Sequence, residues 1–175
     1  MTKEELAELV KNNWQGRSMI PISGEPLKAG QFRRISSAPD GYRIVYVTKV
    51  VNEGRDTHYL DTVGVCALCS DNLECGTDRD FLFSRNKSTL PFDLLIQTDI
   101  VGLLWSVDID LYIGKVNHLQ QMKIADSINE LYVPLTSNGG LPIRGNTDPR
   151  WNWKLSELTI MQNLSKDCML SMLDG

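Results

Sequence analysis

Hydrophobic and polar residues alternate most strictly along the segment 103–113. Large apolar side chains occupy every second position: Leu103, Trp105, Val107, Ile109, Leu111 and Ile113. Serine, aspartate and tyrosine fill the positions between them, so the segment has one apolar and one polar face. A period of two over this length predicts a β-strand with one buried side and one solvent-facing side. Segment 91–99 has a similar composition, and Asp99 and Gly102 are predicted to bracket a short connection between the two strands.

Four earlier segments also have the composition of strands. They are runs of β-branched and aromatic residues bounded by turn signals, at 30–37, 42–51, 57–70 and 80–84. Segment 42–51 is apolar on both faces, which is typical of a central strand covered on both sides. The longest segment, 57–70, is predicted to bend at Gly64, where a missing side chain permits a bulge or corner.

Helical patterns flank this β region on both sides. Residues 2–13 begin with Thr2 and Glu5, which fit a capping box, and residues 115–132 have a helical composition. A last helix is predicted to begin at Asp148 and Pro149, with the aspartate as its cap. The apolar positions predicted to face the core from that helix are Leu155, Leu158, Met161, Leu164, Cys168 and Met172.

This order of elements predicts an α+β fold that is mainly β. Consecutive strands joined by short turns pair as antiparallel neighbours, and a small sheet of this kind bends or closes on itself. We therefore expect a small, strongly bent antiparallel sheet or a partly open barrel, with flanking helices at both termini. The 175 residues suit one domain, with a helix at 1–14, a β-barrel core at 28–114 and a helical part at 115–175.

Charge and hydropathy argue against two classes of function, namely membrane proteins and proteins that coat nucleic acid broadly. No apolar run approaches the ~20 residues that cross a bilayer, and the acidic N-terminal segment is unlike a signal peptide, so a cytoplasmic location without membrane contact is expected. The net charge of -4 argues against coating nucleic acid broadly. Residues 28–55, however, hold six basic and two acidic residues, which predicts a basic face. The alternative is ordinary solvated charge on strand positions.

The four cysteines are predicted to be free thiols in such a location. Cys66 and Cys69 match Cys-x-x-Cys, and a zinc site with Cys75 would need these sulfurs to converge from a tight turn. Residues three apart on a strand point to opposite faces, so no metal site and no cofactor are expected.

The β region also carries several short sequence motifs in a characteristic order. Arg43 opens the apolar run YRIVYVT, and Ser70 ends the run VCALCS. The stretches PFDLLIQTDIVGLLW and YIGKV follow in order. Residues 27–132 thereby resemble the MazF/PemK-type toxin family of SH3-like barrels.

That resemblance implies a metal-independent endoribonuclease from a bacterial toxin–antitoxin system, which cleaves single-stranded RNA by attack of the 2′-hydroxyl. It implies that Arg43 and Ser70 are catalytic and face the scissile phosphate. Arg33, Arg34 and Lys49, together with Asp99, become candidates for binding the RNA substrate. A cognate antitoxin and a homodimer are the protein partners that the resemblance implies.

Two departures from the family pattern support an alternative. Ile44 stands where the family has a proline, and Asp71, which adjoins Ser70, repels a phosphate. The alternative is a non-catalytic SH3-like barrel that binds a protein or a nucleic acid. In that case Trp151 and Trp153, near the start of the last helix, are candidates for carrying the contact with the partner.

Overall fold

The computed structural model describes residues 26–35, 43–52, 62–87, 90–106, 108–109, 111–129 and 138–173. Six strands and two helices form within these ranges. The strands are β1 (Gln31–Ile35), β2 (Arg43–Asn52), β3 (Thr62–Ser70), β4 (Asp80–Phe83), β5 (Leu94–Trp105) and β6 (Leu111–Lys115), and the helices are α1 (His118–Asn129) and α2 (Pro149–Leu173). The helix predicted at 2–13 lies outside the described residues.

All six strands join one antiparallel sheet in the order β4-β5-β3-β2-β1-β6. The predicted α+β class, mainly β and antiparallel, is confirmed. The sheet is not a closed barrel, since β4 and β6 are its two edges in the described part of the chain. Neither described helix is both long enough and apolar enough to cross a bilayer.

A loop rather than β6 covers the β4 edge. The side-chain amide of Asn138 accepts a hydrogen bond from Leu82 N at 2.7 Å and donates one to Leu82 O at 3.2 Å. The backbone nitrogen of Gly139 donates to Asp80 O at 3.0 Å. These contacts satisfy polar groups that an open edge would otherwise expose, so barrel closure is not needed to protect β4.

The boundary between the last two strands was predicted at the wrong position, between Asp99 and Gly102. β5 continues through Asp99 and Gly102, and the chain turns at Ser106 instead, where Ile109 N donates to Ser106 O at 3.3 Å. The irregularity near Asp99 is a shift of register, because Ala67 pairs with Val101 while Cys69 pairs with Ile96. The extra β5 residues form a bulge, which interrupts alternation without ending the strand.

Both faces of the sheet are covered, as the apolar pattern of β2 predicted. One cluster packs with α1 and includes Phe32, Tyr46, Phe83, Ile96 and Ile124. The other packs with α2 and includes Ile35, Val45, Leu68, Leu104, Ile109 and Met161. A β-carbon at Gly102 would lie 2.1 Å from Ser165 Oγ, so this glycine permits α2 to approach β5 closely.

The predicted start of α2 is confirmed, whereas its predicted core face is partly wrong. Asp148 Oδ1 accepts a hydrogen bond from Arg150 N at 3.0 Å, as an N-cap does. Met161 and Cys168 are buried and Leu164 is half-buried, but Leu155 and Leu158 are exposed. The side chain of Met172 lies outside the described part.

Candidate functional site

The two residues predicted to be catalytic lie side by side in the sheet. Ile44 on β2 pairs with Cys69 on β3, so the next step of the register brings Arg43 opposite Ser70 at the ends of these strands. Val45 and Leu68 belong to the cluster beneath α2, and side chains two positions apart on a strand share a face. Arg43 and Ser70 therefore both lie on the face that α2 covers.

Arg43 is engaged by a carboxylate from α2. Its NH1 atom lies 2.8 Å from Oε1 and 2.9 Å from Oε2 of Glu157. The two side chains are 12% and 2% exposed, so the ion pair is largely shielded from water. Gln97 on β5 donates from Nε2 to Glu157 Oε2 at 2.9 Å. The Glu157 carboxylate thus occupies NH1 of the guanidinium, which an anionic ligand could otherwise contact.

Ser70 is buried at the start of the loop that joins β3 to β4. Its Oγ accepts a hydrogen bond from the backbone nitrogen of Asn72 at 3.1 Å. A serine that accepts from the amide two positions ahead stabilises a turn. Ser70 therefore stabilises the turn after β3, in addition to lying beside Arg43.

A second buried ion pair joins α2 to β4 and β5. Lys154 Nζ lies 2.5 Å from Asp80 Oδ1 and 3.0 Å from Asp99 Oδ1. Asp80 Oδ2 also accepts hydrogen bonds from the backbone nitrogen and the hydroxyl of Thr77, at 2.7 and 3.0 Å. Burial raises the pKa of Asp80 above its ordinary value of 3.8, although Lys154 acts in the opposite direction. Asp99, a predicted RNA-binding residue, is therefore a partner of the α2 lysine.

The remaining predicted RNA-binding residues do not gather around Arg43. Arg33 is buried, where its guanidinium donates to Gln31 Oε1 and Pro26 O and lies 5.6 Å from the ring centroid of Tyr112. Its neighbour Arg34 points to the opposite face of β1 and is half-buried. Lys49 is exposed, six residues along β2 from Arg43. The basic segment is thus divided between two faces.

Arg150 is a residue whose role the sequence did not reveal. Its guanidinium forms a two-pronged contact with Asp148, at 3.0 Å from Nε and 2.6 Å from NH2. It also donates to the carbonyl oxygens of Gly76, Leu141 and Pro142. The carbonyl contacts join the first turn of α2 to the loop after β3. The hydrogen bonds from Arg150 to Asp148 hold the pKa of that carboxyl well below 3.8. The available signal was the Asp-Pro-Arg order at a helix start.

The outward face of α2 differs from an ordinary exposed helix face. Residues 151–165 contain two charged side chains, Lys154 and Glu157, and both are buried. Trp151, Leu155 and Leu158 form an outer stripe, with exposed fractions of 41%, 46% and 37%. Their spacing of four and three residues places them on one side of the helix.

The cysteines are placed as the strand pattern predicted. Cys66 belongs to the cluster under α2 and Cys69 to the cluster under α1, so their thiols point to opposite faces. All four cysteines are free, and burial raises the pKa of Cys66 and of Cys69 far above the ordinary value. Within the described ranges, no three His, Cys, Asp or Glu side chains are grouped as metal ligands.

Comparison with known proteins adds no assignment to this geometry. The chain matches no protein-family model and no curated protein. Function is therefore inferred from the inward charges of α2, from its outer stripe and from the neighbouring pair Arg43 and Ser70.

Proposed function

We propose that the protein is a non-catalytic binding module that presents α2 to a protein partner. The observation that carries this proposal is the orientation of α2. The two charged residues between positions 151 and 165, Lys154 and Glu157, are buried against the sheet, while the outer stripe of Trp151, Leu155 and Leu158 faces solvent. Large apolar side chains on an uncharged surface are typical of the centre of a protein interface, where charged residues are depleted and aromatic residues are enriched.

Buried charge explains why α2 does not turn its stripe inward. Burying a leucine-sized side chain contributes about 1.5–3 kcal/mol. Rotating the helix would separate Arg43 from Glu157 and Asp80 from Lys154, and abandoning one partner of a buried ion pair costs about 3–5 kcal/mol. The rotation would also expose Met161 and Cys168, which offsets the gain from the stripe. The ion pairs therefore decide the orientation, and the stripe remains available for another molecule.

The composition of the outer face favours protein over nucleic acid as the partner. Nucleic-acid binding depends on lysine and arginine side chains that neutralise phosphates. Residues 151–165 expose neither, because their one lysine, Lys154, is buried against Asp80. Binding of RNA through the tryptophans of this helix would thus lack the usual electrostatic contribution.

Affinity capture with a matched pair of variants tests the binding function. Leu155→Asp introduces a charge into the outer stripe, whereas Ser156→Asp introduces the same charge at the adjacent exposed position outside it. A protein partner should be retained by the wild type and by Ser156→Asp and lost by Leu155→Asp. Equal retention by all three proteins, or no retention by any, would contradict a role for the stripe.

A second candidate function is the metal-independent endoribonuclease implied by the family resemblance. Its support is the register that brings Arg43 opposite Ser70. A fixed guanidinium stabilises the charge that develops on phosphate oxygens when the RNA 2′-hydroxyl attacks. In this chain that role requires the Glu157 carboxylate to leave Arg43, so the first turns of α2 would have to lift from the sheet. A cognate antitoxin is the protein partner that this candidate implies.

Cleavage assays on single-stranded RNA test the nuclease candidate. The wild type, Glu157→Gln and Arg43→Ala should be compared, with each variant checked for folding by circular dichroism. Nuclease activity predicts products ending in a cyclic phosphate, faster cleavage by Glu157→Gln and none by Arg43→Ala. Intact RNA with both the wild type and Glu157→Gln would contradict the nuclease candidate, and the binding function would then be the only proposal of the two that remains.

We also propose a cytoplasmic location. The support is the cysteine content, since all four thiols are free and three of them are buried. Unpaired cysteines are typical of proteins kept in a reducing compartment. Detection of a disulfide among them in protein isolated from its native cells would contradict this location.

A further inference from the structure

We infer that Asn138 is a deamidation site, and that its conversion to aspartate or isoaspartate uncovers the edge strand β4. The reaction takes water as its only co-reactant and needs no enzyme. The inference is independent of the proposed function, since it rests on the sequence around Asn138 and on the contacts between that side chain and β4.

The sequence supplies the reacting groups. Asn138 is the one asparagine in the chain that precedes a glycine. The backbone nitrogen of Gly139 attacks the side-chain carbonyl carbon of Asn138, because a glycine has no side chain to block the approach or to restrict the backbone. A C–N bond forms, the side-chain nitrogen leaves as ammonia with the proton of the attacking nitrogen, and a cyclic imide remains. Water then opens the ring at one carbonyl to give aspartate, or at the other to give isoaspartate.

The closed loop engages both reacting groups. The side-chain amide of Asn138 accepts from Leu82 N at 2.7 Å and donates to Leu82 O at 3.2 Å. The nitrogen of Gly139 donates its proton to Asp80 O at 3.0 Å, although this nitrogen must lose that proton to attack. Deamidation is therefore expected to proceed from an open form of the loop. Asn138 is exposed, so water reaches the ring once it forms.

Neither product fits the contacts that the amide makes. A carboxylate has no N–H group, so it cannot donate to Leu82 O, and its charged oxygen would face that carbonyl oxygen. Isoaspartate also lengthens the main chain by one atom immediately before Gly139. That glycine has no room to shift towards β4, since a β-carbon on it would lie 2.6 Å from Asp80 Cβ and 2.7 Å from Asp80 O. The loop is therefore expected to leave the β4 edge, which then exposes backbone groups that can pair with another chain.

Peptide mass spectrometry of aged protein tests the reaction. The full chain is incubated at slightly alkaline pH, once folded and once unfolded in urea. Asn146 is the matched internal control, because it is also exposed but precedes Thr147. In urea, Asn138 should convert faster than Asn146. In the folded protein, Asn138 should convert about tenfold more slowly than in urea, because its contacts with β4 must open first.

Two outcomes of this comparison would overturn the inference. One is equal conversion of Asn138 and Asn146 in urea, which would remove the special reactivity of the Asn-Gly sequence. The other is a folded protein in which Asn138 stays intact after many half-lives of the reaction in urea. A folded rate equal to the rate in urea would overturn the protective role of the contacts with β4.

Hydrogen exchange tests whether the β4 edge is uncovered. The aged protein and Asn138→Asp are compared with fresh wild type, and Asn146→Asp adds the same charge at the control position. The amides of Leu82 and Gly139 should exchange about tenfold faster in the first two samples and unchanged in the control. The amide of Phe81, which pairs with β5, should keep its protection and thereby report an intact fold. Unchanged exchange of Leu82 and Gly139 in the aged protein, or an equal loss of protection at Phe81, would overturn the inference.

Discussion

Arg43 on β2 and Glu157 on α2 form a buried ion pair although they are 114 residues apart in the chain. The carboxylate contacts one guanidinium nitrogen at 2.8 and 2.9 Å and also accepts from Gln97. This contact fixes both the position and the rotation of α2 on the sheet. It also makes Arg43, one of the two catalytic candidates in the sequence, an anchor of the helix.

Removing the arginine should destabilise the fold through the carboxylate left behind. Arg43→Met is expected to lower the free energy of unfolding by about 3 kcal/mol, because Glu157 becomes a buried charge without its cation. In a Glu157→Gln background the same change should cost about 1 kcal/mol, since no charge is abandoned. Urea unfolding of the four proteins in this cycle measures the coupling.

A coupling near zero in that cycle would contradict the anchoring role. Lys49→Met provides the matched control, because it removes a positive charge from an exposed position on the same strand. The change at position 49 should be close to neutral in both backgrounds.

Removing Lys154 should make stability fall as the pH rises. Lys154 lowers the pKa of Asp80, which burial already raises above 3.8, so Lys154→Met should raise that pKa further. A carboxyl with a folded pKa above its unfolded value is most favourable to folding when protonated, and stability is lost as the pH rises through the folded pKa. The deficit relative to the wild type should therefore be larger at neutral pH than at pH 3.8, the ordinary value of this carboxyl.

The double variant Lys154→Met with Asp80→Asn identifies the responsible group. Without an ionisable residue at position 80, the extra pH dependence should disappear. If the double variant keeps the same slope of unfolding free energy against pH as Lys154→Met, Asp80 is not the group that titrates.

The ion pair between Asp148 and Arg150 should make stability fall as the pH is lowered, which is the opposite of the effect expected for Lys154→Met. Arg150 holds the pKa of Asp148 below its ordinary value of 3.8, so the carboxylate contributes stability above that pH and loses it as the pH falls. Asp148→Asn keeps a good N-cap residue and removes the charge. The variant should be less stable than the wild type at neutral pH, and the difference should shrink below pH 3.8. A difference that stays constant from neutral to acid pH would contradict this assignment.

Local patterns predicted most of the sheet. Alternation and turn signals located β1 to β4, because each strand is short and its pattern depends on immediate neighbours. They failed between Asp99 and Ile113, where a bulge interrupts a continuous strand and where Ile109 continues the apolar alternation from within a turn. Both features depend on pairing with β3, which local periodicity does not contain.

The rotation of α2 lay beyond what apolar periodicity can predict. Leu155, Leu158 and Met161 are equally good core residues by pattern, yet only Met161 is buried. Ion pairs with distant parts of the chain decide the rotation of α2. Glu157 pairs with Arg43, and Lys154 pairs with Asp80 and Asp99. Long-range pairing of this kind is also the reason why the sequence did not reveal Glu157 as the partner of the Arg43 guanidinium.

Cysteine labelling at two positions of α2 tests most directly whether buried charges turn the outer stripe toward solvent. Leu155→Cys and Met161→Cys are each placed in a Cys75→Ser background, which removes the one native thiol that is not buried. The thiol at position 155 should react nearly as fast as a free thiol, because Leu155 is exposed. The thiol at position 161 should react at least ~1,000-fold more slowly, because it must wait for local opening. Equal rates, or faster labelling at position 161, would contradict the account.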